Sequence, residues 1–262
     1  MLRQAWSVLL WCAAMNEPST AETPAYPETA DIETSSDAYA ARFAGAAGQW
    51  MLEVQERLTL AMLADRPEVS VLDVGGGHGQ LAVPLCREGY RVTVLGSAAS
   101  CRKRVAGVVE AGRCTFLTGN VIALPFPDRS FDVVIAFRLL THCEAWPVLI
   151  KELCRVARQS VIVDYPTSQG LNAIAPALFD AKKKLEGDTR HWRQFQHREV
   201  LGEFAKQGYT EFRRAPQFFL PMVLHRVLRS RFISAGLEGI CRALGFTKRW
   251  GSPVILEVKR ET

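Results

Sequence analysis

Residues 71–82 read VLDVGGGHGQLA. Val71 and Leu72 close a short apolar run that reads as a buried strand, and Asp73 stands at its tip. Glycines follow at Gly75, Gly76, Gly77 and Gly79, and then an apolar, helix-like segment over 81–86. A strand that breaks into a glycine turn and resumes as a helix forms a ligand-binding corner. Without Cβ atoms the backbone approaches a ligand closely, and the first N–H groups of the helix are free to bind it. The spacing argues against a dinucleotide, because G-x-G-x-x-G begun at Gly75 needs a glycine at 80, where Gln80 stands. What remains is acid-x-G-x-G-x-G, carried by Asp73, Gly75, Gly77 and Gly79.

Working outward, strand and helix patterns alternate. Strands are predicted at 90–95, 114–118, 131–137 and 160–164, with helices at 99–111 and 145–157 between them. This alternation predicts a mostly parallel sheet with helices on both faces. Beyond it, helices are expected at 171–185, 198–207 and 222–244, and strands at 210–219 and 254–258. Upstream, 38–63 carries apolar stripes at helical spacing, and Pro67 marks the break before the first strand. Residues 16–37, rich in Pro, Thr, Ser, Glu and Ala, read as a mobile arm. The domain reading is an arm over 1–37, a helical lid over 38–66 and an α/β domain over 67–262, with a helical cap at about 222–250.

The chain has 262 residues, 48% hydrophobic and 23% charged, which suits one large core or one core with a cap. The net charge of +5 is unevenly spread: no Lys or Arg lies between Arg3 and Arg42, and the C-terminal part is basic. Seven scattered cysteines without a C-x-x-C read as reduced core residues, not as a disulfide frame or zinc site. That points to a cytoplasmic protein with no metal. The opening MLRQAWSVLLWCAAM could be a weak signal peptide and is too short to span a membrane as a helix; we read it as an accessory extension or a start placed too early, with Met15 the expected functional start and a peripheral membrane anchor as the alternative.

The corner resembles motif I of the class I S-adenosylmethionine (SAM)-dependent methyltransferases. Residues 119–142, GNVIALPFPDRSFDVVIAFRLLTH, resemble the small-molecule group that includes the ubiquinone and menaquinone biosynthesis enzymes, as does ELCRVAR at 152–158. The likeness covers about 68–165. It implies a Rossmann-like, seven-stranded, mostly parallel sheet with an antiparallel last strand, and SAM as cofactor. SAM presents an ammonium and a carboxylate, which suit an acid beside open backbone N–H groups. The resemblance assigns cofactor contacts to Asp73, Gly75, Gly76, Gly77 and Gly79, to Gly96 and Ser97, to Asn120, and to the apolar Val121 and Leu124 near the adenine. Three departures stand out. Gly96 replaces the acid that holds the ribose hydroxyls. Asn120 replaces an Asp, though its carbonyl can still accept the adenine amino group. Arg158-Gln159-Ser160 replaces a Pro-Gly-Gly turn. Losing the ribose acid removes charge-assisted hydrogen bonds worth roughly 1.5–3 kcal/mol each. Either Ser97, backbone groups or water replace it, or SAM binding is weakened or lost.

Methyl transfer needs alignment and a dry site, and a base only if the acceptor must lose a proton. His142, just past the strand at 131–137, is the candidate base, against a plain pocket-lining role. Tyr165 could orient the acceptor, and Arg138 could hold an anionic one or merely pair with a surface acid. Asp164 could serve there or as a structural cap. Tyr39 and Trp50 of the lid and His191 in DTRHWRQFQHRE are the remaining substrate candidates. The cap at 222–250 interleaves apolar residues with arginines, which suits an anionic membrane or a lipid-like acceptor, or else a solvated face over a local core. No nucleic-acid module is present, and nothing in the sequence indicates an oligomeric state. The reading is a methyltransferase acting at oxygen or carbon of a small or lipid-like acceptor. The alternative is a SAM-fold binding or regulatory subunit without catalysis.

Overall fold

The structure, a computed structural model, describes residues 26–170 and 192–261. Seven strands form one sheet: β1 (Ser70–Val74), β2 (Arg91–Gly96), β3 (Cys114–Thr118), β4 (Phe131–Ala136), β5 (Ala157–Tyr165), β6 (Tyr209–Pro216) and β7 (Val254–Arg260). Their order is β3-β2-β1-β4-β5-β7-β6. The first five strands pair in parallel, and β7 runs antiparallel to both β5 and β6. The run FDVVIA in β4 is buried at every position, the pattern of a strand covered on both faces. The exposed edge strand β6 carries Glu211, Arg213 and Arg214, charges that discourage edge-to-edge pairing.

In chain order the helices are α1 (Ala30–Thr34), α2 (Asp37–Ala41), α3 (Gly45–Leu63), α4 (Ala82–Arg87), α5 (Ala106–Glu110), α6 (Trp146–Val156), α7 (His197–Ala205), α8 (Met222–Leu228), α9 (Arg231–Ala243) and α10 (Phe246–Trp250). Two apolar clusters fill the two sides of the sheet. One includes Leu72, Val134 and Val163 with Leu149 and Phe204; the other includes Val71, Val133 and Ile162 with Leu63 and Leu85. A third, smaller cluster of Phe43, Trp50, Met51, Val54 and Phe218 joins lid to cap. The strand order reverses between β1 and β4, so the crevice for a ligand lies beyond the carboxyl ends of these strands.

Three expectations change. The arm is not loose throughout: 26–37 is packed structure, with α1 seated on the glycine corner and Asp31 fully buried. The predicted lid helix is broken at 42–44, because the backbone of Phe43 folds onto Gly48, where a Cβ would stand 2.3 Å from the Phe43 carbonyl oxygen. The predicted helix 222–244 is two helices, turned at Arg229 with φ of 51°. The helix expected at 171–185, His191 and the first 25 residues lie outside the described residues.

Candidate active site

Asp73 is the penultimate residue of β1, and after Val74 the chain turns at once through Gly75 and Gly79, both left-handed with φ of 72° and 73°. The Gly75 N–H donates to the Leu95 carbonyl at 2.8 Å, tying the corner to β2. The corner is packed so closely that only glycines fit it. A Cβ on Gly76 would lie 2.2 Å from the Asp73 carboxylate, and one on Gly77 would lie 2.4 Å from Ser35 Oγ. Asp73 is buried, and that burial lifts its carboxyl to about 7. A buried acid in a glycine cradle fits the ammonium and carboxylate of an amino-acid ligand such as the methionine end of SAM.

At the end of β2, Gly96 is closed to any side chain, since a Cβ there would stand 2.7 Å from Cys101 Cβ. Ser97, next in sequence, is wholly buried and donates both its N–H and its hydroxyl to Asp31. Asn120 Oδ1 accepts the Ile122 N–H at 3.0 Å, so the carbonyl expected at the adenine caps its own turn. Val121 and Leu124 are buried in the larger core cluster, which Ala30 of α1 also joins.

At the other end of the cleft the structure assembles residues from four distant segments. Asp164, just before Tyr165 at the end of β5, accepts the Arg138 N–H at 2.5 Å and the Gln55 amide at 2.9 Å. Gln55 Oε1 in turn accepts from Arg138 at 3.3 Å and from Gln80. Burial pushes the Asp164 carboxyl up. Arg138 is itself left-handed, with φ of 59°, and its guanidinium lies 4.3 Å from the Phe43 ring centroid and 5.5 Å from that of Tyr39. A narrow cleft lies among Asp73, Gly76, His78, Gln80, Phe137 and Arg138. Among the described residues, Arg138 Nη1 and both ring nitrogens of His78 are buried there without a hydrogen-bond partner. Burial, then the charges of Arg138 and Arg104, hold the His78 imidazole down at about 3. It is neutral at physiological pH and can accept a hydrogen bond.

The other candidates are placed as follows. Tyr39 flanks the cleft, its ring 5.9 Å from His78. Trp50 is buried between Phe218 and His225, each 5.3 Å away, and serves the lid–cap contact. Tyr165 is wholly buried, its hydroxyl 2.9 Å from His197 Nδ1, because strand alternation turns it to the α7 side while Asp164 takes the other face. It therefore faces away from the cleft. His142 ends the turn Leu140–His142 and is half-buried, beside Thr141, whose hydroxyl donates to the Arg193 carbonyl at 2.7 Å. Sequence reasoning does not single out Gln55, His78 or Asp31. Of these, His78 alone carries a signal, as the one imidazole inside the glycine motif; the other two join the site only through long-range contacts. The described residues hold no cluster of three or more metal-binding side chains and no helix long and apolar enough to cross a membrane.

Comparison with known proteins agrees with this architecture. Residues 72–163 match a family model described as a methyltransferase domain. The malonyl-[acyl-carrier protein] O-methyltransferase of Serratia marcescens is 26% identical over 200 residues, 71% of this chain and 74% of that protein. The ubiquinone biosynthesis O-methyltransferase of Methylobacterium nodulans is 28% identical, over 54% of this chain and 60% of its own length. A ubiquinone/menaquinone biosynthesis C-methyltransferase of Paracoccus denitrificans is 41% identical over 76 residues, 27% of this chain and 30% of its own length. In fold, the chain is similar to the magnesium protoporphyrin IX methyltransferase of Synechocystis, solved with bound S-adenosylhomocysteine (SAH). That match has a TM-score of 0.61 and 16% identity, over 88% of this chain and 98% of the other. Residues 72–163 are thus similar to a methyltransferase domain, within a fold shared with a solved methyltransferase.

Proposed function

We propose that the protein transfers the methyl group of SAM to oxygen or carbon of a small or lipid-like acceptor that carries an anionic group. The observation that carries this reading is the cleft beside the glycine cradle, lined by Arg138 and His78, whose Nη1 and ring nitrogens are buried without a protein hydrogen-bond partner. Buried polar groups left without protein partners are satisfied by a ligand or water. SAM brings a methyl group already activated on its sulfonium. The chain then has to bind, align and keep water out. Asp73 faces the ammonium and the cradle N–H groups the carboxylate. Arg138, held by Asp164 and Gln55, takes the acceptor's charge. His78 is too weak a base to remove a proton and serves as a hydrogen-bond acceptor, which leaves His142 as the base for acceptors that need one.

A lipid-like acceptor is supported by the cap. Val227, Phe232, Ile240 and Leu244 are 72%, 85%, 60% and 62% exposed, beside Arg229, Lys248 and Arg249. The one acid of 222–250, Glu238, is buried and accepts the Phe219 and Leu220 N–H groups. An exposed face of apolar and cationic side chains suits an anionic lipid surface. The six cysteines of the described residues form no disulfide, in keeping with a reducing, cytoplasmic setting.

The test is incubation with methyl-labelled SAM and a cell extract split into lipid and aqueous phases. Label is expected in the lipid phase. Arg138→Met should raise KM for the labelled acceptor ~10–100-fold, the value of a lost charge-assisted hydrogen bond, while SAH affinity stays near normal. SAH binding with no label in either phase would instead support the non-catalytic alternative, which the glycine at 96 keeps in play.

A second expectation concerns pH. Asp73 stands near half-protonated at neutral pH, and a cofactor ammonium favours its charged form. Binding below pH 7 must therefore release a proton. SAH affinity should fall toward tenfold per pH unit as pH drops from about 7 to about 5.5, and level off above about 8. Calorimetry in buffers of different ionisation enthalpy reads both effects. A flat profile would show that the ammonium does not reach Asp73.

A further inference from the structure

Helix α9 is amphipathic the wrong way round. Ile233, Leu237, Ile240 and Leu244, the last just past its end, recur at spacings of four, three and four, the stripe by which a surface helix normally meets its core. Here all four are exposed, and it is the polar side that is buried: Ser234 and Glu238, one turn apart, face inward. Glu238 accepts the Phe219 and Leu220 N–H groups at 3.0 and 2.8 Å and lies 3.2 Å from His225 Nε2, which fixes that side against the protein. The neighbouring helices extend the face. Of the fourteen large apolar side chains exposed among the described residues, ten lie in 223–250, so the exposure is concentrated on the cap and marks an interaction surface.

Charge decides what covers this face. Residues 222–250 hold six Lys and Arg residues and one acid, and that acid is the buried Glu238. Arg231 turns back to Glu53 at 3.1 Å, and Arg242 donates to the Gln217 carbonyl at 3.1 Å. Arg229, Lys248 and Arg249 stay exposed beyond the two ends of α9. A second copy packed here by two-fold symmetry would set the patch against itself, cations meeting cations with no exposed acid of the cap to answer them. An anionic lipid surface answers both halves of the face, with phosphates for the cations and the acyl boundary for the stripe. We propose that α9, with the cap residues that flank it, docks the protein on an anionic lipid bilayer. Trp250, with Arg249 5.4 Å from its ring centroid, then lies at the headgroup level, where amphipathic aromatic rings gather. The face is tied to the cleft, since Arg226 of α8 lies 5.7 Å from the Phe43 ring centroid that Arg138 approaches to 4.3 Å. The inference stands on the cap's own residues and holds whatever the acceptor in the cleft.

The test is co-sedimentation of the full chain with vesicles of phosphatidylcholine alone and of phosphatidylcholine mixed with phosphatidylglycerol. Binding to the mixed vesicles should be at least ~10-fold stronger, and it should weaken as salt is raised. Phe232→Ser combined with Ile240→Ser should lose at least ~10-fold on the mixed vesicles, because two apolar side chains no longer enter the lipid. Lys248→Glu combined with Arg249→Glu should also lose at least ~10-fold there. All four positions are exposed, so thermal melting should match wild type and show that the losses are not unfolding. Equal binding to the two vesicle types, or variants that bind as wild type does, overturns the proposal. So does a chain that binds neither vesicle; if that chain also sediments as a dimer that Ile240→Ser separates, the face belongs to a second copy. Methyl transfer does not enter the readout, so failure of the acceptor reading leaves this result standing.

Discussion

Gly76→Ala should abolish SAH binding, with a loss of more than ~100-fold. The added Cβ would sit 2.2 Å from the Asp73 carboxylate, a distance no real contact tolerates. Asp73 is buried at the tip of β1 and cannot swing into solvent. The corner must open or the acid must rotate, and either movement takes the carboxylate out of the cradle. Overpacking of this kind costs about 1–3 kcal/mol in stability, so the variant should still fold, and the binding loss is then specific. Gly107 is the control. It lies within α5, where an added methyl would meet nothing within 4 Å, so Gly107→Ala should bind SAH normally and gain about 0.5–1 kcal/mol of stability. Calorimetry and melting of the two variants side by side make the comparison. Normal SAH binding by Gly76→Ala would show that the ligand does not use this corner.

Glu257→Leu is expected to be the most damaging substitution for stability outside the apolar core. Glu257 lies in mid-β7 and is 1% exposed. Its Oε1 pairs with Arg66, and its Oε2 meets Arg213 at 2.9 Å. Arg66 is itself nearly buried, and it also donates to Ser160 Oγ and the Met62 carbonyl at 2.7 Å each. Removing the carboxylate strands the Arg66 charge, and breaking a buried pair from one side costs about 3–5 kcal/mol. For a chain of this size that lowers Tm by roughly 10 °C, at about 2–4 °C per kcal/mol. Arg213 is half-exposed, so Arg213→Met should cost only about 0–1 kcal/mol. A Glu257→Leu loss below about 1 kcal/mol in denaturant melts would mean that Arg66 finds solvent without its partner.

The parallel sheet and its ligand edge were legible because both are written in local periods. The apolar run ending at Val71 and Leu72 and the stretch 131–137 read as strands of a sheet with helices on both faces, and the structure places β1 at Ser70–Val74 and β4 at Phe131–Ala136, buried at every position but Ser70. The glycines of 75–79 announced the corner because a turn of that shape needs residues without Cβ at consecutive positions. The family likeness at 119–142 extended the reading across the sheet. Alternation, by contrast, is not enough to choose between neighbours: Tyr165 reads as a residue that orients the acceptor, yet the pleat turns it into the core and sends Asp164 toward Arg138.

What the amino-acid order determined by itself was therefore the architecture. Strand, glycine turn and helix each depend on side chains within a few positions of one another, and their periods survive without knowledge of the rest of the chain. The charged partnerships were decided only by the tertiary structure. Gln55 meets Asp164 across 109 residues, Asp31 meets Ser97 across 66, and Glu257 meets Arg66 across 191. A buried carboxylate is stable only where a donor waits for it, and that donor comes from whichever distant segment the packing brings alongside. Nothing in ADIETSS around Asp31, or in VILEVKR around Glu257, distinguishes these acids from solvated ones. Their roles arise from the sheet order, which brings the end of β2 under α1 and lays β7 beside the start of β5.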